Sequence, residues 1–390
     1  MITTAATVLG LLLTLALPIY PDGITPLIAG FLALCGIAGL FGFADRKARY
    51  ELAIMAPWGA ALVIGVLVGS MHNGESQQAI EDALPYLLFI IGLIGGRGTG
   101  RSARRVLQAG LWVCVIDSIV SIALMDSFAA GVRSTFNYYK ITAGLPLVGL
   151  YLAAVLRDTA PPSRSARSKW VLHAAVAVVM IVGIVLSVTR GMLIGWILGV
   201  VVAAYVRKPS QALMGLTVLL VALVVWSSAF AELGNEYLRF GQGSTIEGRF
   251  REVEAAWAGF VAAPFFGQGL GAMVDVDGFH KAFVHNLAAY QLWKFGILGT
   301  MLLLVPLLAL ARELGGASRK LRAHALGGAV AVLAYLVTCA AYKTYYLVWI
   351  LGAVVGASLS FFEHHRAKGN VRAVGRASAA NSERLAGQRR

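Results

Sequence analysis

The chain has 390 residues, of which 58% are apolar and only 13% charged. Soluble domains carry about 25% charged residues and cannot hide this much apolar surface, so the composition excludes a soluble globular fold. The net charge of +14 does not mark a nucleic-acid binder, because the basic residues fall between apolar runs instead of clustering on one surface.

The first apolar run, 5–20, has no basic segment before it and no A-x-A cleavage site after it. It reads as a retained span, not a signal peptide. A helix needs about 20 apolar residues to cross about 30 Å of hydrocarbon, and bundles accept shorter runs. On that basis further spans are expected at 24–43, 52–70, 83–96, 106–125, 142–156, 170–189, 191–206, 211–230, 286–310, 324–341 and 344–361. The fourth is short. The expectation is an all-α polytopic membrane bundle of about 12 helices, since backbone groups in lipid must be satisfied within each segment.

Alternate loops carry Arg46, Lys47 and Arg49; Arg97, Arg101, Arg104 and Arg105; Arg157, Arg164, Arg167 and Lys169; Arg207 and Lys208; and Arg312, Arg319, Lys320 and Arg322. With the seven basic residues of the tail they make 24 of the 33. The positive-inside rule places that face, and both termini, in the cytoplasm. Residues 1–362 form the membrane domain, and 363–390 read as a basic, disordered tail. Cys35, Cys114 and Cys339 lie inside apolar runs and read as small buried thiols. No internal repeat, heptad, dinucleotide fingerprint, G-x-S-x-G, H-E-x-x-H or paired C-x-x-C occurs.

Nine basic residues run against that bias: Arg133, Lys140, Arg190, Arg239, Arg249, Arg251, Lys281, Lys294 and Lys343. The simplest reason for all of them is an anion. Arg190 follows twenty mostly apolar residues, about 30 Å of helix, and so sits at a hairpin tip on the outer boundary. It is either an anion ligand or a snorkelling helix anchor.

Residues 231–285 form the one long outer loop. Within it Phe250, Val253, Trp257 and Phe260 recur at helical spacing, giving an amphipathic helix that either lies on the membrane or packs on the bundle. Pro264–Gly271 is a glycine-rich turn. His285 closes the loop beside a helix N-terminus, where it is either a general base or a capping histidine. Asp275, Asp277, His280 and His285 match no standard metal-ligand spacing. Asp117 lies inside a span with no partner that can be named. Tyr138, Tyr139, Tyr342, Tyr345 and Tyr346 read as aromatic-belt residues.

Glu247-Gly-Arg-Phe-Arg-Glu-Val-Glu-Ala-Ala-Trp257, then Pro264-Phe-Phe-Gly-Gln-Gly-Leu-Gly271, then His285-Asn286 with Gly296-Ile-Leu-Gly-Thr300 nine residues on, resemble the O-antigen ligase superfamily. H-N-x9-G-x-x-G-T is the most specific element, and Ser187-Val-Thr-Arg-Gly191 is similar to that family's S-x-x-R-G. Arg133-Ser-Thr-Phe-Asn137 is a weaker match. The detailed resemblance covers roughly 187–300. It implies a GT-C-like membrane glycosyltransferase that inverts the anomeric centre with no metal, nucleotide or other cofactor. The implied donor is a glycan on undecaprenyl diphosphate, and the implied acceptor is lipid A-core or another glycan. The resemblance further implies His285 as catalytic base and Arg190 and Arg249 as the diphosphate clamp, with Arg251 and Arg133 as weaker members. Asn286, Gly296 and Gly299 stand in support.

A polymerase of lipid-linked repeat units shares the loop signature and the donor, so the acceptor alone separates it from a ligase. A transporter or flippase should show paired interrupted helices or an internal repeat. The sequence reads as having neither.

Overall fold

The computed structural model describes residues 1–17, 25–72, 76–124, 144–159, 166–187, 189–210, 212–214, 216–217, 243–315 and 318–387. They form an all-α membrane bundle: α1 (Ile2–Leu13), α2 (Pro26–Phe43), α3 (Arg46–Ile54), α4 (Ala56–His72), α5 (Ser76–Arg97), α6 (Ala103–Ala123), α7 (Leu145–Asp158), α8 (Ala166–Leu186), α9 (Arg190–Arg207), α10 (Gly243–Ala262), α11 (Leu287–Gly315), α12 (Arg319–Thr338) and α13 (Tyr345–Gly387).

The count of twelve spans is corrected. Among the described residues seven helices are long and apolar enough to cross a membrane, or eight if α3 and α4, bent by 49°, act as one. Pro57 explains the bend, because it lacks the N–H that would continue α3. The run at 142–156 becomes α7, whose 14 residues reach only about 21 Å. Its Leu147, Val148, Leu152 and Val155 are buried. Encased by neighbours, it has no need to match the bilayer thickness. The apolar runs near the N-terminus and at 170–189 also give shorter helices. Most of 211–230 lies outside the described residues. The fourth run is longer than expected: α5 starts before Asp82 and so takes that acid into the bundle. The tail read as disordered continues α13 as helical backbone to Gly387, in line with its alanine and arginine content.

Glycines hold the helices together. A Cβ at Gly92 or Gly96 of α5, or at Gly352 or Gly356 of α13, would collide with the facing backbone. At the α9–α12 contact, a Cβ on Gly199 would lie 2.6 Å from Gly327 O, and one on Gly327 2.6 Å from Gly199 O. Small residues four apart allow this close approach, which drives helix association where lipid is as apolar as leucine.

The two ends of the bundle differ. At one end Glu51 meets Arg97 at 3.2 Å, Glu363 joins Arg97 and Lys47, and Asp158 joins Arg207 and His324. The other end carries the insertion between α10 and α11. There β1 (Val274–Val276) and β2 (Phe279–Lys281) form an antiparallel hairpin, with Asp277 and Gly278 at positive φ in its two-residue turn.

The glycine-rich segment after α10 is sewn into α11. Gly296 has φ 61° and ψ −167°, which breaks the helix. Ile297 and Leu298 then donate to Pro264 O and Phe265 O at 2.8 and 3.1 Å, while Trp293 O and Lys294 O accept from Gln268 and Gly269 at 2.8 and 3.0 Å. Only glycine fits at 296: a Cβ would overlap Phe265 O, and its φ is disfavoured for other residues. Four backbone groups flanking the break thus find partners from the loop.

Candidate functional site

Helix α10 presents two functional residues one turn apart. Arg249 and Glu252 are i and i+3 and share a face. Arg249 Nη1 donates to Thr338 O, the last carbonyl of α12, at 3.0 Å. Glu252 is buried, with 4% of its surface exposed. Its Oε2 accepts from the His285 backbone N–H at 2.9 Å and lies 2.8 Å from His285 Nδ1, while Oε1 accepts from Lys281 at 2.8 Å.

Burial alone would raise the Glu252 carboxyl. The hydrogen bonds from the His285 ring, Lys281 and the His285 backbone outweigh burial and hold it down to about 2, from an ordinary 4.5. An ionised carboxylate only accepts, so Nδ1 must carry the proton and Nε2 is the ring's basic atom. The His285 side chain is 27% exposed. The charged group bonded to the His285 ring is therefore an anion.

Arg190 opens α9, and the Arg249 guanidinium is among the charges that act on it. The next residue, Gly191, packs directly on the Thr338 side chain. Both arginines thus converge on the end of α12. The turn that follows, Ala340–Lys343, reaches the histidine: Tyr342 donates its hydroxyl proton to Val284 O, one residue before His285.

The other expected residues separate from this group. Arg251 pairs with Asp277 at 3.2 Å on the exposed hairpin. Arg133 lies outside the described residues, as do Lys140 and Arg239. Asn286 caps α11, its side chain accepting from the Ala289 N–H at 2.9 Å. Gly296 makes the helix break, and Gly299 packs against Phe295. Of the residues weighed as metal ligands, Asp275 pairs with His280 at 2.6 Å, while Asp277 and His285 have the partners named above. Tyr342, Tyr345 and Tyr346 are buried core residues, not an exposed belt.

A second cluster adjoins the first. Asp82 and Lys294 are both fully buried and joined at 2.6 Å, and Lys343 bonds the other Asp82 oxygen. Gly271 N donates to Asp82 at 2.9 Å, and Lys294 also bonds Ala272 O. Asp82 thereby ties α5 to the sewn-in loop, to α11 and to the turn that holds Tyr342. Lys281, Lys294, Lys343 and Arg251 all have carboxylates of this chain as partners, so none of them requires an external anion to account for it.

Sequence reasoning missed Glu252 and Asp82. The signal for Glu252 was its register with Ala256, the small buried residue one turn on. The apolar stripe used instead contains Phe250, 70% exposed, and Trp257, 53% exposed, which turn away from the bundle. Comparison with family models gives no match, and a search of curated proteins finds none.

Proposed function

We propose that the protein is an inverting, metal-independent glycosyltransferase of the O-antigen ligase type. It moves a glycan from undecaprenyl diphosphate to lipid A-core or another cell-surface glycan at the periplasmic face of the inner membrane. The observation that supports this best is the meeting, at the end of α12, of the neighbouring Arg190 and Arg249 with the turn that anchors the Glu252-bound His285. Two guanidiniums brought to one end of a helix form a site that favours an anion. A diphosphate has the charge and the bidentate oxygens they suit.

In this reading the acceptor hydroxyl oxygen attacks the anomeric carbon from the side opposite the diphosphate. Its proton passes to His285 Nε2. The bond from the anomeric carbon to the diphosphate oxygen breaks, and the electron pair leaves with the lipid diphosphate. Arg190 and Arg249 offset that charge as it develops. Glu252 keeps the imidazole in the tautomer that accepts the proton and stabilises the imidazolium that results.

The interruption in α11 is a feature of transporters, and the sequence had concealed it. Transporter sites, however, use freed backbone groups to hold ligand. Here Pro264, Phe265, Gln268 and Gly269 occupy those groups. That weighs against transport.

Complementation tests the reading. In strains lacking either the ligase or the polymerase, restored attachment of long chains to lipid A-core supports ligation, and longer chains on the carrier alone indicate the polymerase. Restoration that survives His285→Ala refutes the catalytic assignment.

A further inference from the structure

At the end of the bundle opposite His285, a cleft of about 240 Å³ opens between α7, α8, α9 and α12. Helices α8 and α9 follow one another in the chain yet touch only sparsely, which leaves the cleft open to the side. Its walls are mainly apolar, with Ala153, Ala177, Ala203 and Gly328 set beside Tyr151 and Trp196. Val200, on its rim, is 52% exposed and continues into the lipid-facing side of α9 with Ile197 and Leu198. A hollow of this kind, bordered by lipid, suits an acyl chain.

The mouth is polar and basic. Arg157, His173 and His324 line it. Asp158 takes Arg157 at 3.1 Å, His324 at 3.0 Å and Arg207. Among the described residues of this ion-pair cluster, two guanidiniums share one carboxylate, which leaves it one formal positive charge, and Arg157 is 41% exposed. We propose that this cleft binds one phospholipid with an acidic phosphodiester headgroup, its chain lying among the alanines and glycines and its phosphate against Arg157. The surplus in this cluster is positive, so an acidic headgroup offsets it where a zwitterionic one does not.

The 18 residues of α9 separate Arg190 from the cleft mouth by about 27 Å. The lipid is therefore held in the leaflet opposite the proposed chemistry. It is a structural ligand, independent of the donor.

Native mass spectrometry on the full chain, released from vesicles of equal phosphatidylglycerol and phosphatidylcholine, tests this. One phosphatidylglycerol is expected to remain bound. Arg157→Gln lowers its retention about fivefold, the effect of one surface guanidinium on an anionic headgroup. Ala177→Trp, which fills the cleft, abolishes retention, with the melting temperature reporting whether the variant folds. Arg251→Gln, at the other end, leaves retention unchanged. Equal retention of phosphatidylcholine, or full retention in Arg157→Gln, overturns the proposal.

Discussion

Replacing Glu252 tests the site most sharply, because one carboxylate there orients the base and fastens the loop. Its carboxyl is held at about 2 against an ordinary 4.5. That difference corresponds to about 3 kcal/mol. The sign follows from the direction. A depressed carboxylate stabilises the folded site at any pH above about 4.5, and the contribution fades as pH falls toward 2. Glu252→Ala removes it at every pH and leaves the Lys281 ammonium and the His285 N–H without their acceptor. Loosening of residues 272–286 is expected, measured as faster amide exchange across β1, β2 and His285. Glu252→Gln keeps the volume but supplies no anion, so the Nδ1 proton is no longer fixed. Turnover is expected to fall about 10- to 100-fold, as for other partners that orient a histidine. Donor KM stays near wild type, since Arg190 and Arg249 are untouched. The assay is glycan transfer from a lipid-linked donor, with kcat and KM measured separately across pH. Glu252→Gln with turnover within twofold of wild type, and an unchanged pH profile, refutes the role given to this carboxylate.

The buried Asp82 cluster predicts an order of severity. Asp82→Asn leaves two buried lysines without a counter-charge and costs about 3–5 kcal/mol, whereas Lys294→Met leaves the Asp82–Lys343 pair balanced and costs less; thermal melting in detergent ranks them, and the reverse order contradicts the assignment. Gly296→Ala is expected to abolish folded protein, judged by size-exclusion elution, because its Cβ overlaps Phe265 O and its φ is positive. Arg251→Gln changes stability and activity little, since its pair with Asp277 is exposed. Arg249→Gln raises the donor KM or lowers turnover at least tenfold, and a normal rate with an unchanged KM removes it from the clamp.

The sequence made His285 and Arg190 visible because each is polar at the edge of a long apolar run, and Arg249 because it is basic in the outer loop, against the charge bias. Their partners were harder to see. Glu252 lies on a helix face defined by small residues, and hydrophobic periodicity led instead to the bulky stripe that faces away. Asp82 falls where the apolar run had been taken to begin, so it was left outside the helix that buries it. The span count failed for a related reason: length criteria assume that an apolar run faces lipid, whereas α7 is wrapped by protein. The break in α11 was hidden because Gly296 sits within a continuous apolar run, and only the distant Pro264–Gly269 segment supplies the partners that allow a break. The pairs Gly92–Gly96, Gly195–Gly199 and Gly352–Gly356 went unread, although their four-residue spacing coincides with the tightest helix contacts.

The most direct test of the account follows the diphosphate itself. Purified protein is incubated with a lipid-linked glycan and acceptor, and free undecaprenyl diphosphate is measured by mass spectrometry. The account predicts release in step with glycan transfer, lost in His285→Ala and Arg249→Ala while both proteins remain folded. An intact donor that only changes leaflets, or release undiminished in both variants, contradicts it.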